Sequence, residues 1–287
     1  MMFISVEHTR QLLAQHGYIA DVGLSTSIFL STRMGKALFL EGEPGVGKTE
    51  VAKVLSALTH APLIRLQCYE GIDVSQAVYE WNYPHQLLAM QTGSAKDDLF
   101  SERFLLKRPL LQAIDAAHTV SPVLLIDEID RADEEFESYL LELLADYQIT
   151  IPELGTLRAH HKPVVVITSN RTREVHDALK RRCAYCWIDY PSREKELEIL
   201  QRKSPHTGPL LARQVVDFVQ ALRKHELYKL PGVAETLDWA EALEHLSTEV
   251  LDAATVNQTL GMILKYQDDV DKVRSGLLET LVAQVAG

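Results

Sequence analysis

Residues 42–49 read GEPGVGKT, and these residue types at this spacing suit one chemistry, the cradling of a polyphosphate. Gly42, Gly45 and Gly47 let a backbone turn tightly and aim successive N–H groups inward, at the amino end of a helix that favours an anion. Lys48 would reach the β- and γ-phosphates, and Thr49 would ligate magnesium. Glu43, Pro44 and Val46 complete the loop and Glu50 enters the first helical turn, so residues 42–50 are the expected nucleotide contact. An ordinary Gly-rich turn gives no reason for Lys-Thr directly after the last glycine, and the flanks, ALFL before and EVAKVLSAL after, supply the strand and helix that a phosphate loop needs.

Residues 123–130 read VLLIDEID, an apolar strand ending in two adjacent carboxylates at the edge where open α/β sheets bind ligands. Asp127 is expected to hold magnesium through water and Glu128 to polarise an attacking water. Two such acids could instead cap a turn, but the phosphate loop upstream favours the catalytic reading. The run VVVIT, 164–168, ends at Ser169 and Asn170, and Asn170 is a candidate for orienting the water, against the plainer reading of a turn residue. EVHDALKRRC then brings Arg181 and Arg182 to a helix end, where cations complement the dipole. The sharper reading is an arginine finger offered to a neighbouring subunit's nucleotide, worth roughly 10³–10⁵ in rate.

Apolar runs of strand length at 37–40, 63–67, 123–126, 164–168 and 185–188 alternate with helical stretches, which predicts an α/β layer built on a parallel sheet. Residues 149–161, ITIPELGTLRAHH, alternate imperfectly around Pro152 and Gly155 and predict a hairpin before the fourth strand. From Pro191 the strand signals stop. Ser192 is the expected N-cap of a helix over 193–203, with breaks near 205–209 and 231–232, so the boundary falls between a domain of residues 1–190 and a helical one of 191–287.

A formal charge of -11, from 29 Lys and Arg against 40 Asp and Glu, argues against a surface built to neutralise nucleic-acid phosphates, and no Lys/Arg run with interleaved aromatics occurs. No run approaches the roughly 18 apolar residues of a spanning helix, and the amino terminus meets charge too early for a signal peptide, so a cytoplasmic protein is expected. Cys68, Cys183 and Cys186 cannot all pair, which fits a reducing compartment. Cys183 and Cys186 form a CxxC, but residues i and i+3 on a strand point to opposite faces, so a structural role is expected. His85, His160 and His161 lack partners at ligand spacing, and no metal other than magnesium is suggested.

The order of these motifs, with a helical tail opening PSREKELEIL, resembles the AAA+ ATPases and, within them, the MoxR family, over nearly the whole chain. CYEGIDVSQAVYEWNYPHQLL at 68–88, the stretch 127–156 from DEID to ELGT, and SNRTREVHDALKRRC at 169–183 look like the CoxD-like branch, associated with aerobic carbon monoxide dehydrogenase and related molybdenum hydroxylases. The resemblance implies an αβα nucleotide-binding sandwich with a small helical lid, ATP at a subunit junction, and a hexameric homo-oligomer. It also implies a chaperone-like maturation role, often with a partner carrying a von Willebrand factor A domain. On this model Asn170 takes the sensor-1 role, Arg181 is the first choice for the finger and Arg182 the second. Residues 69–89 would be the family's helix-2 insert and 149–161 its hairpin before sensor 1. One departure is plain: where a sensor-2 arginine is expected, LPGVAETLDW offers Ala234 and Glu235, leaving Lys229 or Arg223 as substitutes.

The leading expectation is therefore an ATP-driven remodelling chaperone that matures a molybdenum enzyme. A slow nucleotide-dependent assembly switch is the alternative, favoured by the missing arginine. A nucleic-acid motor is a third class, disfavoured by the acidic balance.

Overall fold

A computed structural model describes residues 3–92 and 99–285. Two compact units divide them: one of residues 3–16, 20–42 and 48–187, the other of 17–19, 43–47 and 188–285.

The first unit opens with helices α1 (Val6–Gln15) and α2 (Val22–Met34), capped by Ser5 and Asp21 side chains that accept the His8 and Leu24 N–H groups. Strand β1 (Ala37–Gly42) leads through the loop 43–47 into α3 (Lys48–Thr59) and β2 (Leu63–Gln67). Next come α4 (Val74–Ala77), β3 (Tyr79–Trp81), α5 (Tyr83–Gln91), β4 (Leu105–Lys107) and α6 (Pro109–Ala113). The chain continues as β5 (Val123–Asp127), α7 (Glu134–Asp146), β6 (Gln148–Ile151), β7 (Gly155–Arg158), β8 (Val164–Ser169), α8 (Asp177–Lys180) and β9 (Cys183–Ile188).

The main sheet has the order β2-β5-β8-β1-β9, with β2/β5, β5/β8 and β8/β1 all parallel. β5 is buried throughout and β8 nearly so, which is why both read as unbroken apolar runs: helices cover both faces, and alternation would bury polar side chains. β8 lies between β5 and β1, so the tips of three strands, at Gly42, Asp127 and Ser169, emerge side by side. β6 and β7 form the expected antiparallel hairpin, with Ile151 opposite Gly155. Around the expected insert, β3 and β4 make a second antiparallel pair, extending it to Lys107.

The second unit holds α9 (Arg193–Lys203), α10 (Pro209–Leu222), α11 (Val233–His245), α12 (Ala253–Ile263), α13 (Gln267–Lys272) and α14 (Leu278–Val285). Ser192 caps α9 through the Lys195 N–H, and Pro209 and Gly232 stand at the starts of α10 and α11, where the sequence breaks. Its core gathers Phe218, Trp239, Leu243, Leu260 and Leu281, with the Trp239 indole N–H donating to Thr259 Oγ1 at 2.8 Å. No helix among the described residues is long and apolar enough to cross a membrane.

Candidate functional site

The loop 43–47 turns between the end of β1 and the start of α3 with Gly45 at φ 79° and Gly47 at φ 92°, conformations that an L side chain rarely adopts. Val46 is buried and anchors it. Lys48 is only 6% exposed, and its ammonium donates to the Gly42 carbonyl at 2.7 Å, spanning the loop from its last residue to its first. The Glu50 carboxylate turns aside to Lys53, 3.2 Å away.

Three donors converge on the buried Asp127 carboxylate. Thr49 Oγ1 and Thr168 Oγ1 both donate to Oδ1, at 3.0 and 2.5 Å, and Arg65 Nη2 donates to Oδ2 at 2.6 Å. The β2/β5 register explains Arg65: Gln67 stands opposite Asp127, and Arg65, two residues back, shares the face of Gln67. Thr168 also accepts the Glu128 N–H at 3.0 Å, so one hydroxyl on β8 fixes both adjacent acids of β5. A hydroxyl and a carboxylate oxygen 3.0 Å apart are the hard oxygen donors that suit magnesium on a polyphosphate.

Glu128 sits in the left-handed region at φ 56°, ψ 50°, which costs a non-glycine residue about 1–2 kcal/mol and swings its carboxylate off the strand axis. There its Oε1 meets the Asn170 amide at 3.4 Å and its Oε2 pairs with Arg131 Nε at 2.9 Å. The chain from Asn170 to α8 is held by two buried acids absent from the sequence expectations. Asp130 accepts the N–H groups of Asn170 and Thr172 and the Thr172 hydroxyl. Glu137 accepts the Arg173 guanidinium and, at 2.9 Å, the His176 N–H. Burial alone would raise the Asp130 carboxyl, but the Thr172 and Asn170 hydrogen bonds outweigh it and hold it below the usual range.

The two arginines at the end of α8 part company. Arg182 donates to the Ala178 carbonyl at 2.9 Å and so caps its own helix. Arg181 is exposed, and its side chain makes no hydrogen bond or ion pair with the described residues. On β1, Glu41 is buried and accepts the Tyr185 hydroxyl at 2.8 Å, with Lys180 at 3.8 Å. Burial and that bond push the Tyr185 phenol up to about 12, so it remains a donor at neutral pH.

Against this geometry, the model of the AAA domain (dynein-related subfamily) matches residues 37–183, just over half of the 287-residue chain. The chain belongs to this AAA family. Similar proteins include SH1500 of Staphylococcus haemolyticus, named as uncharacterized, 26% identical over 66% of this chain and 69% of its own. Another is YojN of Bacillus subtilis, also named as uncharacterized, 28% identical over 68% of this chain and 62% of its own. Among solved structures, a point mutant of RuvB from Thermotoga maritima superposes with a TM-score of 0.52 at 16% identity, over 99% of this chain and 83% of that one. At that identity the likeness shows the α/β AAA+ fold alone.

Within the second unit, the loop 43–47 meets the start of α11. The Ala234 N–H donates to the Gly45 carbonyl at 3.2 Å, and Glu235 caps its own helix by accepting the Gly232 N–H at 2.9 Å. A Cβ on Gly45 would stand 2.9 Å from the Glu235 carboxylate, so an acid faces the loop where an arginine is expected. Arg223, one of the two expected substitutes, is committed elsewhere: it forms a bidentate pair with the fully buried Glu196 at 2.7 and 2.8 Å, bonds the Pro231 carbonyl and lies over the Tyr190 ring.

Cys183 and Cys186 are unbridged on β9 and donate separately, to the Leu179 and Trp187 carbonyls. Burial pushes the Cys183 thiol up to about 12, and burial together with the nearby Asp127, Asp130, Glu128 and Glu137 carboxylates pushes the Cys68 thiol up to about 12. Neither is a nucleophile at neutral pH. No group of three or more potential metal-ligating side chains occurs among the described residues.

Proposed function

We propose that this AAA protein binds ATP in the loop 42–50, hydrolyses it as one subunit of a homo-oligomeric hexamer, and acts in the cytoplasm as a chaperone maturing a molybdenum-containing, carbon monoxide dehydrogenase-like enzyme. Residues 1–190 form the nucleotide-binding domain and 191–287 the lid. The observation that carries the hydrolytic part is one hydrogen-bonded network: the Thr168 hydroxyl joins Asp127 to the Glu128 N–H, Thr49 donates to Asp127, and the Asn170 amide donates to the Glu128 carboxylate.

In this reading the loop N–H groups and Lys48 bind the phosphates, the ammonium leaving the Gly42 carbonyl for them. Thr49 would hold magnesium directly and Asp127 through water, and the ion would neutralise charge on the phosphate oxygens. Glu128, freed from Arg131, takes the proton of the attacking water, and Asn170 orients that water. Arg181 is the finger for a neighbour's nucleotide: its exposed guanidinium, without a partner among the described residues, supports that role, whereas Arg182 commits one donor to the Ala178 carbonyl of α8. Fast turnover therefore waits on ring formation.

The client and a von Willebrand factor A domain partner rest on the resemblance of 68–88, 127–156 and 169–183 to the CoxD-like branch. Glu235 beside Gly45 and the commitment of Arg223 favour a second reading, a slow assembly switch that changes partners with bound nucleotide. Steady-state ATPase measured against protein concentration separates the two. A rate per subunit that climbs as rings assemble, and that Glu128→Gln abolishes while ATP binding persists, supports the motor; a rate flat at background supports the switch. Coexpression with a carbon monoxide dehydrogenase-like client tests the role: equal client activity with and without this chain removes it.

A further inference from the structure

The finger reading leaves a question of geometry. Arg181 ends a helix of one turn, and four residues cannot fix their own direction in an assembly. What fixes α8 lies at its other end. His176, the N-cap, accepts the Ala178 N–H through Nδ1 and gives its own N–H to Glu137 Oε2 at 2.9 Å. Glu137 stands on α7, 2% exposed, and its Oε1 takes the Arg173 guanidinium. Arg173 in turn donates to the Ala132 carbonyl, directly after the turn that carries Glu128 and Asp130, and to the Glu174 carbonyl. Val175 and Leu179 are buried on either side of the cap.

Resting on the finger assignment above, we propose that Glu137 and Arg173 are positioning residues for the neighbouring subunit's hydrolysis: a buried strut that sets where α8 presents Arg181. Two features separate this from a generic core ion pair. One carboxylate serves both the guanidinium and the cap of the finger helix, so its loss frees α8 rather than α7, which keeps its Asp133 cap and buried Phe136, Leu140 and Leu143. The segment's near end is held independently by Asp130, so Asn170 keeps its place when the far end is released. The strut therefore divides the two duties of the 170–181 segment, sensing its own nucleotide and acting on the next subunit's.

The test uses full-length chains in mixed rings. Lys48→Ala subunits, unable to bind ATP, serve as finger donors; Arg181→Ala subunits, which retain the phosphate loop, serve as acceptors. Their mixture recovers activity. Adding Glu137→Gln to the donor is expected to cut that recovery at least tenfold, whereas adding it to the acceptor changes it less than threefold. Arg173→Met, which keeps an apolar stem on a more exposed residue, repeats the experiment if Glu137→Gln fails to enter rings. Equal recovery with substituted and unsubstituted donors overturns the strut. So does a loss of the same size in both positions, or exclusion of both variants from rings, since either marks a merely structural role. Failure of the unsubstituted pair to recover any activity instead removes the finger reading on which the strut depends.

Discussion

Replacing Thr168 by Val tests whether one hydroxyl organises both acids of the site. Val keeps the shape of Thr on a buried strand, so the perturbation is chemical: Asp127 loses its 2.5 Å donor and the Glu128 N–H loses its acceptor. A hydrogen bond to a charged group contributes about 1.5–3 kcal/mol, and a buried N–H left unsatisfied costs about 1–3 kcal/mol. The extra buried methyl returns about 0.8 kcal/mol. The sum is a destabilisation of about 2–5 kcal/mol, which lowers the melting temperature of a unit of this size by about 5–15 °C. Turnover should fall by about tenfold or more, because both acids lose their common reference point. Thr168→Ser, which keeps the hydroxyl and removes only the methyl, should cost about 1 kcal/mol and retain turnover. Thermal unfolding with and without nucleotide, paired with steady-state ATPase, reads all of this. A Thr168→Val protein that melts within about 2 °C of the parent and turns over normally refutes the reasoning.

Three further outcomes are expected. Arg223→Met should destabilise the second unit by about 3–5 kcal/mol, because Glu196 is left fully buried with only neutral donors from Thr236 and Gln220; denaturant unfolding followed by Trp239 fluorescence checks it. Asp130 has a depressed folded carboxyl, so its contribution is complete above the unfolded value of about 3.8 and is lost as pH falls through the lower folded value. Stability of Asp130→Asn measured from pH 6 to pH 3 should show a correspondingly shallower acid limb, and an unchanged slope contradicts the hydrogen-bond account. Lys48→Ala should abolish ATP binding by titration calorimetry, since the buried ammonium is the loop's one side-chain cation; retained micromolar affinity counts against it.

How much of this was legible in advance follows from how local each feature is. The phosphate loop, the acids of β5 and the hairpin of β6 and β7 were readable because their chemistry lies within a few consecutive residues: glycines that permit φ above zero, an apolar run with a polar tip, a Pro and a Gly in a turn. Thr168, Arg65, Asp130 and Glu137 were not. Each is a common residue type whose importance lies 36 or more positions away in sequence, in the register of β2 on β5, of β8 on β5, or in the packing of α7 on the segment before α8. The composition contains no trace of those pairings. The choice between Arg181 and Arg182 was equally undetermined, since neighbours on one helical turn differ only in direction, and only the fold shows that Arg182 turns back to Ala178.

The sequence by itself determined the chemistry available at the start of α3 and the end of β5, because the groups proposed to bind a polyphosphate and its cation are covalently adjacent there. Ala234 and Glu235, where the family resemblance implies an arginine, were legible in the sequence as well. Only the tertiary structure decided how those groups are aimed: a parallel sheet that sets β8 between β5 and β1 brings Thr168 to both acids, and buried carboxylates that must find donors hold the segment after β8 and α8 in place.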